Sequence, residues 1–154
     1  MRPTTSLSLT AAALMASVAV AAAAGDNMAG FQKRDDTMKQ IGRNFYVGIG
    51  RVVQGRNPYG PQTVTAAENL TNLLTELPTL FPPGSDVPDS RMNPQILSAT
   101  ADRDALIAQV QDAAKGLVPA VKEGATNKEV MAAAFKKVDD ACDACHNKYR
   151  LKKE

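Results

Sequence analysis

Apolar residues recur every three or four positions through most of the chain beyond Gly25, and this spacing restricts the fold more than any other sequence feature. Positions three or four apart lie on one face of a helix, whereas a strand needs strict alternation, which no stretch sustains. Aromatic residues make up 5% of the chain and Trp is absent, so a β-sandwich would lack its usual strand formers. The length of 154 residues suits one domain with one core. An all-α, single-domain protein is therefore predicted.

The N-terminus has the composition of a secretory signal peptide. Arg2 precedes an uncharged run from Leu7 to Ala24, and this run ends in Ala22-Ala23-Ala24, an A-x-A cleavage pattern. An uncleaved anchor helix is the alternative, but no cluster of positive charge follows to stop transfer. We predict a signal peptide over residues 1–24, a mature domain over residues 25–154, and a bacterial periplasmic protein without a membrane anchor.

The first helical pattern runs from about Met28 to Gln54. Its apolar face consists of Phe31, Met38, Ile41, Phe45, Ile49 and Val52. Gly42, Gly48 and Gly50 lie within it and cost roughly 1 kcal/mol each relative to Ala. Such glycines permit the close approach of a neighbouring helix or a flat ligand.

The second pattern predicts a helix that begins at a capping box, Thr65-Ala66-Ala67-Glu68. Its core residues are Ala67, Leu70, Leu74 and Leu77. The segment from Leu80 to Pro88 contains three prolines, which remove amide donors, so it is predicted to be a long crossover loop.

Two further helices complete the predicted fold. A helical turn begins at Asn93-Pro94, and a third helix runs from about Ala101 to Glu123, with Pro119 expected to kink this helix or to disturb its last turn. Its inward residues are Leu106, Val110, Ala113, Leu117 and Val121. The fourth helix begins at the capping box Thr126-Asn127-Lys128-Glu129. Its apolar stripe consists of Val130, Ala134, Val138, Cys142, Cys145 and Tyr149. Four amphipathic helices joined by short loops and one crossover predict an antiparallel four-helix bundle.

Both cysteines and the single histidine of the chain lie in one pentad, Cys142-Asp143-Ala144-Cys145-His146. In an exported protein, C-x-x-C-H is typical of c-type haem attachment, in which the thiols form thioethers and the imidazole binds iron. On a helix these three side chains lie on one face and can contact the same macrocycle. We predict one haem c per chain, bound covalently through Cys142 and Cys145 near the C-terminus of the bundle, with His146 as axial iron ligand.

Two other kinds of site use a C-x-x-C pair. A thiol–disulfide oxidoreductase places the pair at a helix N-terminus, where the helix dipole lowers a thiol pKa, whereas Cys142 is predicted to lie deep in the last helix. Structural zinc needs four Cys or His ligands, and this chain has three. Haem attachment is favoured. A thiol–disulfide enzyme and a haem-free structural bundle remain alternatives, and both predict a colourless protein.

The sequence resembles the class II c-type cytochromes, whose best-known members are the cytochromes c′. The resemblance extends over residues 29 to 151 and rests on three motifs. These are C-H-x-x-Tyr-Arg at His146 to Arg150, Arg-x-x-x-Met-Lys at Arg34, Met38 and Lys39, and the loop Phe81-Pro82-Pro83-Gly84-Ser85. One departure is Pro94-Gln95-Ile96-Leu97, where many members have Trp in place of Leu97.

The resemblance implies roles for two residues of the first helix. Arg34 would pair with a haem propionate, and Met38 would occupy the distal face opposite His146, where it is a possible sixth iron ligand. Taken alone, Arg34 is also compatible with a solvated surface charge, and Met38 with core packing.

Met38 also separates two functions. Without a bond from Met38 to iron, the protein resembles a cytochrome c′ that transfers electrons and binds NO or CO. With that bond, it resembles a low-spin His/Met-ligated electron carrier. An enzyme is not expected, because the chain has no second histidine and no Gly-rich phosphate loop. A formal net charge of +2 disfavours a nucleic-acid partner. The expected partners are a redox protein of unknown identity, small gas ligands and a second copy in a homodimer.

Overall fold

The computed structural model describes the backbone of residues 12–152 and the side chains of residues 27–152. Its helices are α1 (Ala12–Gly42), α2 (Pro61–Thr75), α3 (Gln95–Ser98), α4 (Thr100–Lys115), α5 (Leu117–Glu123) and α6 (Lys128–Tyr149). Residues 1–11 of the predicted signal peptide lie outside the described residues, and residues 12–24 are described only as the backbone of α1. The cleavage therefore stays a prediction. No helix within the described residues is long and apolar enough to cross a membrane.

The first helix does not end at Gly42. It continues through a π-helical segment, Arg43–Gly50, and a last turn, Arg51–Val53, so the predicted end near Gln54 is confirmed. The glycine-rich segment lies against α2 at Gly48, where an added Cβ would be 2.5 Å from the Cβ of Ala66. The predicted close approach of a neighbouring helix is confirmed at this position.

The helix α2 begins one turn earlier than predicted. Gly60 is the N-cap and Pro61 is the first helical residue, a position that proline favours because its missing amide hydrogen has no helical acceptor there. The hydroxyl of Thr65 donates to the Pro61 carbonyl inside the helix, so the capping box predicted at Thr65 is wrong. The predicted core residues Ala67, Leu70, Leu74 and Leu77 are all buried.

The third predicted helix is divided into α4 and α5 at Gly116. Pro119 has no amide hydrogen to donate to the carbonyl of Lys115, so the disturbance falls in the turn before the proline rather than after it. The cap of α6 also differs from the prediction, since the side chain of Asn127, not Thr126, accepts from the amide of Val130 at 3.3 Å.

The helices form the predicted all-α, antiparallel four-helix bundle. The first helix packs on α2, and α6 packs on α4 and α5. At the centre, the ring of Phe45 stacks on that of Phe135 with centroids 4.1 Å apart. The described residues contain no strand, only one isolated antiparallel bridge between Met92 and Arg150.

Two glycine substitutions in the first helix test this packing. Gly42→Ala is expected to stabilise the protein by about 0.5–1 kcal/mol, because Gly42 is helical and a new Cβ meets nothing within 4 Å. Gly48→Ala is expected to destabilise it by about 1–3 kcal/mol through overpacking against Ala66. Urea unfolding measures both changes. Equal changes in the free energy of unfolding for the two substitutions would contradict the close contact at Gly48.

Candidate cofactor site

An apolar cleft lies between the C-terminal half of α6 and the helices α1, α2 and α4. Its empty space, counted out to the open solvent at its mouth, is about 450 Å³. Its lining is apolar except for the donor atoms of α6. The lining residues are Met38, Ile41, Leu74, Leu77, Phe81, Leu106, Ile107, Val110, Ala141, Cys142, Cys145 and His146.

The structure brings Cys142 and Cys145 together on the α6 wall of this cleft. Both thiols are free and half-buried. Burial, with help from Asp139 and Asp143, raises the pKa of Cys142 to about 12, and burial also raises the pKa of Cys145. A thiol–disulfide oxidoreductase needs the opposite shift, since its attacking cysteine is a thiolate at neutral pH. The two thiols do not fit that alternative.

His146 lies on the same wall and is half-buried. Burial lowers the pKa of its imidazole, and the nearby positive charge of Arg150 lowers it further. The neutral imidazole is the form that binds metals. Two thiols and a neutral imidazole facing an apolar cleft are the donor set that haem c requires. Among the described residues, no group of three or more His, Cys, Asp or Glu side chains is arranged to hold a metal ion directly.

Met38 lines the cleft from α1 and is half-buried. The structure therefore places Met38 and His146 in one cleft, while the distal position and the iron ligation that the resemblance implies for Met38 stay predictions. Sequence reasoning assigned no role to Phe81, whose ring lines the same cleft. The apolar pair Leu80-Phe81 at the start of the Pro-rich loop is the sequence feature that could have indicated this position.

Arg34 is buried and is not one of the residues that line the cleft. Its guanidinium donates four hydrogen bonds to the crossover loop between α2 and α3. The acceptors are the Leu80 carbonyl, the Ser85 hydroxyl, the Ser85 carbonyl and the Ser90 hydroxyl. Burial lowers the pKa of Arg34, an effect that Asp35 and Asp86 oppose. Its pairing with a propionate stays a prediction.

The end of α6 is held by polar contacts to two other segments. The hydroxyl of Tyr149 donates to one oxygen of Asp102 on α4, and the ammonium of Lys148 contacts the other at 2.7 Å. Beyond the helix, the amide of Asn93 donates to the Tyr149 carbonyl at 2.8 Å. Leu97, which stands where many members of the resembled family have Trp, packs against a small buried cluster of Met92, Ile96 and Tyr149.

The helical bundle and its donor set define a protein that binds a c-type haem. The chain belongs to the cytochrome c′ family, since residues 29–150 match the family model described as Cytochrome C′. A cytochrome c-556 from Agrobacterium tumefaciens (strain II Chrys) is 35% identical over 128 residues, which cover 79% of this chain and 97% of that relative.

Two solved structures from Alcaligenes xylosoxidans are also similar to this chain at 27% identity. One is a nitric oxide complex of a cytochrome c prime mutant, with a TM-score of 0.74 and coverage of 82% of this chain and 97% of the other. The second is a carbon monoxide-bound cytochrome c prime variant, with a TM-score of 0.71 and coverage of 80% of this chain and 94% of the other. Family membership confirms the resemblance and makes haem c the cofactor of this chain, and the two free cysteines of α6 agree with covalent attachment.

The contacts of Asp102 predict a pH dependence of stability. Hydrogen bonds from Lys148 and Tyr149 hold the pKa of Asp102 below its ordinary value of 3.8. The carboxylate therefore stabilises the fold above that value, and the contribution is lost as the pH falls through the lowered pKa. Asp102→Asn is expected to lower the thermal unfolding temperature at pH 7, with a difference from wild type that narrows in acid. A difference that stays constant down to pH 2 would contradict this assignment.

Proposed function

We propose that this chain is a periplasmic c-type cytochrome that transfers single electrons and binds NO or CO. One observation carries the proposal: both thiols and the only imidazole of the chain lie together on one wall of an apolar cleft that Met38 also lines. Haem c supplies an iron that alternates between the ferric and ferrous states and can take a diatomic gas.

The residues of α6 attach and ligate the cofactor. Cys142 and Cys145 would each hold the haem through a thioether, formed by addition of the thiol across one vinyl group, with sulfur on one vinyl carbon and the thiol hydrogen on the other. No electrons are lost or gained in this addition. The imidazole of His146, kept neutral by its buried position, offers a nitrogen to the iron.

Apolar side chains on the other walls of the cleft would exclude water and large ligands. Met38 and Ile41 come from α1, and Phe81 comes from the crossover loop. A small neutral gas can enter such an apolar space without the desolvation cost that a polar or charged ligand has to overcome. The gas complexes among the similar structures support this use of the cleft.

The predicted signal peptide and the c-type haem together indicate where the protein acts and which partners it meets. A c-type cytochrome with a cleaved signal peptide meets its electron donor and acceptor proteins in the periplasm. Association of two copies into a homodimer stays a prediction.

Met38 keeps a second function open. Its thioether lies in the same cleft as His146, and a bond from its sulfur to iron would make the protein a low-spin His/Met-ligated carrier. We favour the first function because thioether sulfur is a weak ligand that also packs well as an apolar filler.

The covalent attachment can be tested on protein matured together with haem-attachment machinery. Acidified organic solvent should leave the colour with the polypeptide of the wild type and release it from the Cys142→Ala/Cys145→Ala double variant. His146→Ala should keep the tether and lose the native absorption spectrum, which separates attachment from ligation. Colour that leaves the wild-type polypeptide in the solvent would refute the proposed function.

The role of Met38 is tested by its replacement. Met38→Ala should leave the ferric and ferrous spin states unchanged and accelerate CO binding several-fold, because the apolar crowding over the iron is relieved. Absorption spectra and flash photolysis measure the two effects. A low-spin wild type that becomes high-spin on substitution would instead establish the His/Met-ligated carrier.

A further inference from the structure

We propose that Arg34 is a positioning residue for the cleft. Its guanidinium holds the crossover loop between α1 and the end of α6, and this sets how closely Phe81 covers the cofactor and how far the Met38 wall stands from the His146 wall. The inference rests on the proposed haem-binding function, and it gives Arg34 a role different from propionate pairing.

The hydrogen bonds of Arg34 span the whole length of the loop. Nη1 donates to the Leu80 carbonyl at 3.1 Å and to the Ser85 hydroxyl at 2.8 Å. Nη2 donates to the Ser85 carbonyl at 2.7 Å and to the Ser90 hydroxyl at 2.9 Å. Each terminal nitrogen has two hydrogens, so both are fully used and only the Nε–H remains for another acceptor. A propionate could therefore pair with the Nε–H of Arg34, but it could reach Nη1 or Nη2 only by displacing an acceptor of the loop.

The loop passes this restraint on to the end of α6. The hydroxyl of Ser90 accepts from Arg34 and also from the amide of Met92, at 3.2 Å. Met92 forms the bridge to Arg150, four residues after His146. On either side of that bridge, the amide of Asn93 donates to the Tyr149 carbonyl and the amide of Leu151 donates to the Arg91 carbonyl at 2.7 Å. A continuous chain of hydrogen bonds therefore connects α1 with the segment that follows the haem-binding pentad.

The environment of Arg34 shows why the loop depends on this residue. Ser85 is completely buried, so its carbonyl and the carbonyl of Leu80 would lose their partner without gaining water if the guanidinium were removed. An unpaired buried acceptor costs about 1–3 kcal/mol, which moving the loop outward would recover. The Leu80 carbonyl belongs to the peptide that joins Leu80 to Phe81, and the guanidinium carbon lies 5.9 Å from the Phe81 ring centroid. Loss of Arg34 would therefore move Phe81 first.

A second contact between helix and loop does not involve the charge of Arg34. One turn earlier in α1, a Cβ added at Gly30 would lie 2.7 Å from Cγ of Pro82 and 3.2 Å from Cβ of Ser85. The loop thus rests directly on the helix backbone. Gly30→Ala would push the loop away while leaving Arg34 in place.

The experiment compares four variants of the holoprotein: Arg34→Gln, Arg34→Lys, Gly30→Ala and the control Arg43→Gln, which removes one exposed arginine from the same helix. Hydrogen exchange measured by mass spectrometry reports on segment 80–93, and flash photolysis gives the CO association rate. We expect at least tenfold faster exchange in the loop and several-fold faster CO association for both Arg34 variants and for Gly30→Ala. Arg43→Gln should match the wild type in both measurements.

Three results would overturn the inference. Wild-type loop exchange in Arg34→Gln would show that the loop does not depend on the residue. Rescue of both readouts by Arg34→Lys, with a changed reduction potential in Arg34→Gln only, would show that a point charge near a propionate is what matters. Faster exchange without faster CO association would show that the loop does not control the cleft.

The variants still test the inference if one of them does not fold. If Arg34→Gln does not fold, Gly30→Ala still tests whether displacing the loop opens the cleft, and Arg34→Lys still tests whether charge alone is enough. A wild-type protein without covalent haem would refute the proposed function, whereas the exchange data would still decide whether Arg34 holds the loop.

Discussion

Helix α6 contributes to the core with one half and carries the whole donor set with the other, and the rest of the structure depends on this double use. Its N-terminal half buries Met131, Phe135 and Val138 among the other helices. A helix packed in this way cannot rotate about its axis without exposing those side chains. The direction in which Cys142, Cys145 and His146 point is therefore set by hydrophobic contacts one to three turns away from them.

The cleft exists because the four helices do not close around the C-terminal half of α6. At the level of Phe45 and Phe135 stacked rings fill the bundle, whereas beyond Val138 the walls separate around apolar space. The low polarity of that space has chemical consequences. It keeps the imidazole of His146 neutral and the thiols protonated, and it suits an uncharged gas better than a polar ligand.

The crossover loop contributes Phe81 to the lining of the cleft although it has almost no regular secondary structure. Three prolines limit its backbone, and its polar groups are satisfied by Arg34 on one side and by the residues after α6 on the other. These contacts to neighbouring elements add to the loop's own turns, in which the amide of Ser85 donates to the Pro82 carbonyl and the amide of Ser90 donates to the Val87 carbonyl. Its position thus couples α1, which carries Met38, to α6, which carries His146.

The sequence by itself determined the fold class, the order of the four helices, and the candidate residues of the cofactor site. Helical periodicity and the C-x-x-C-H spacing are local properties, and hydrophobic burial leaves few ways to arrange such segments. The predicted helix starts at Thr65 and Thr126 are wrong because several N-cap candidates compete within a few residues, and Gly60 and Asn127 are the N-caps in the structure. Only the tertiary structure decided the contacts of Arg34, the place of Phe81 and the pairing of Tyr149 with Asp102. These depend on side chains more than 45 residues apart in the chain, whose proximity no local pattern encodes.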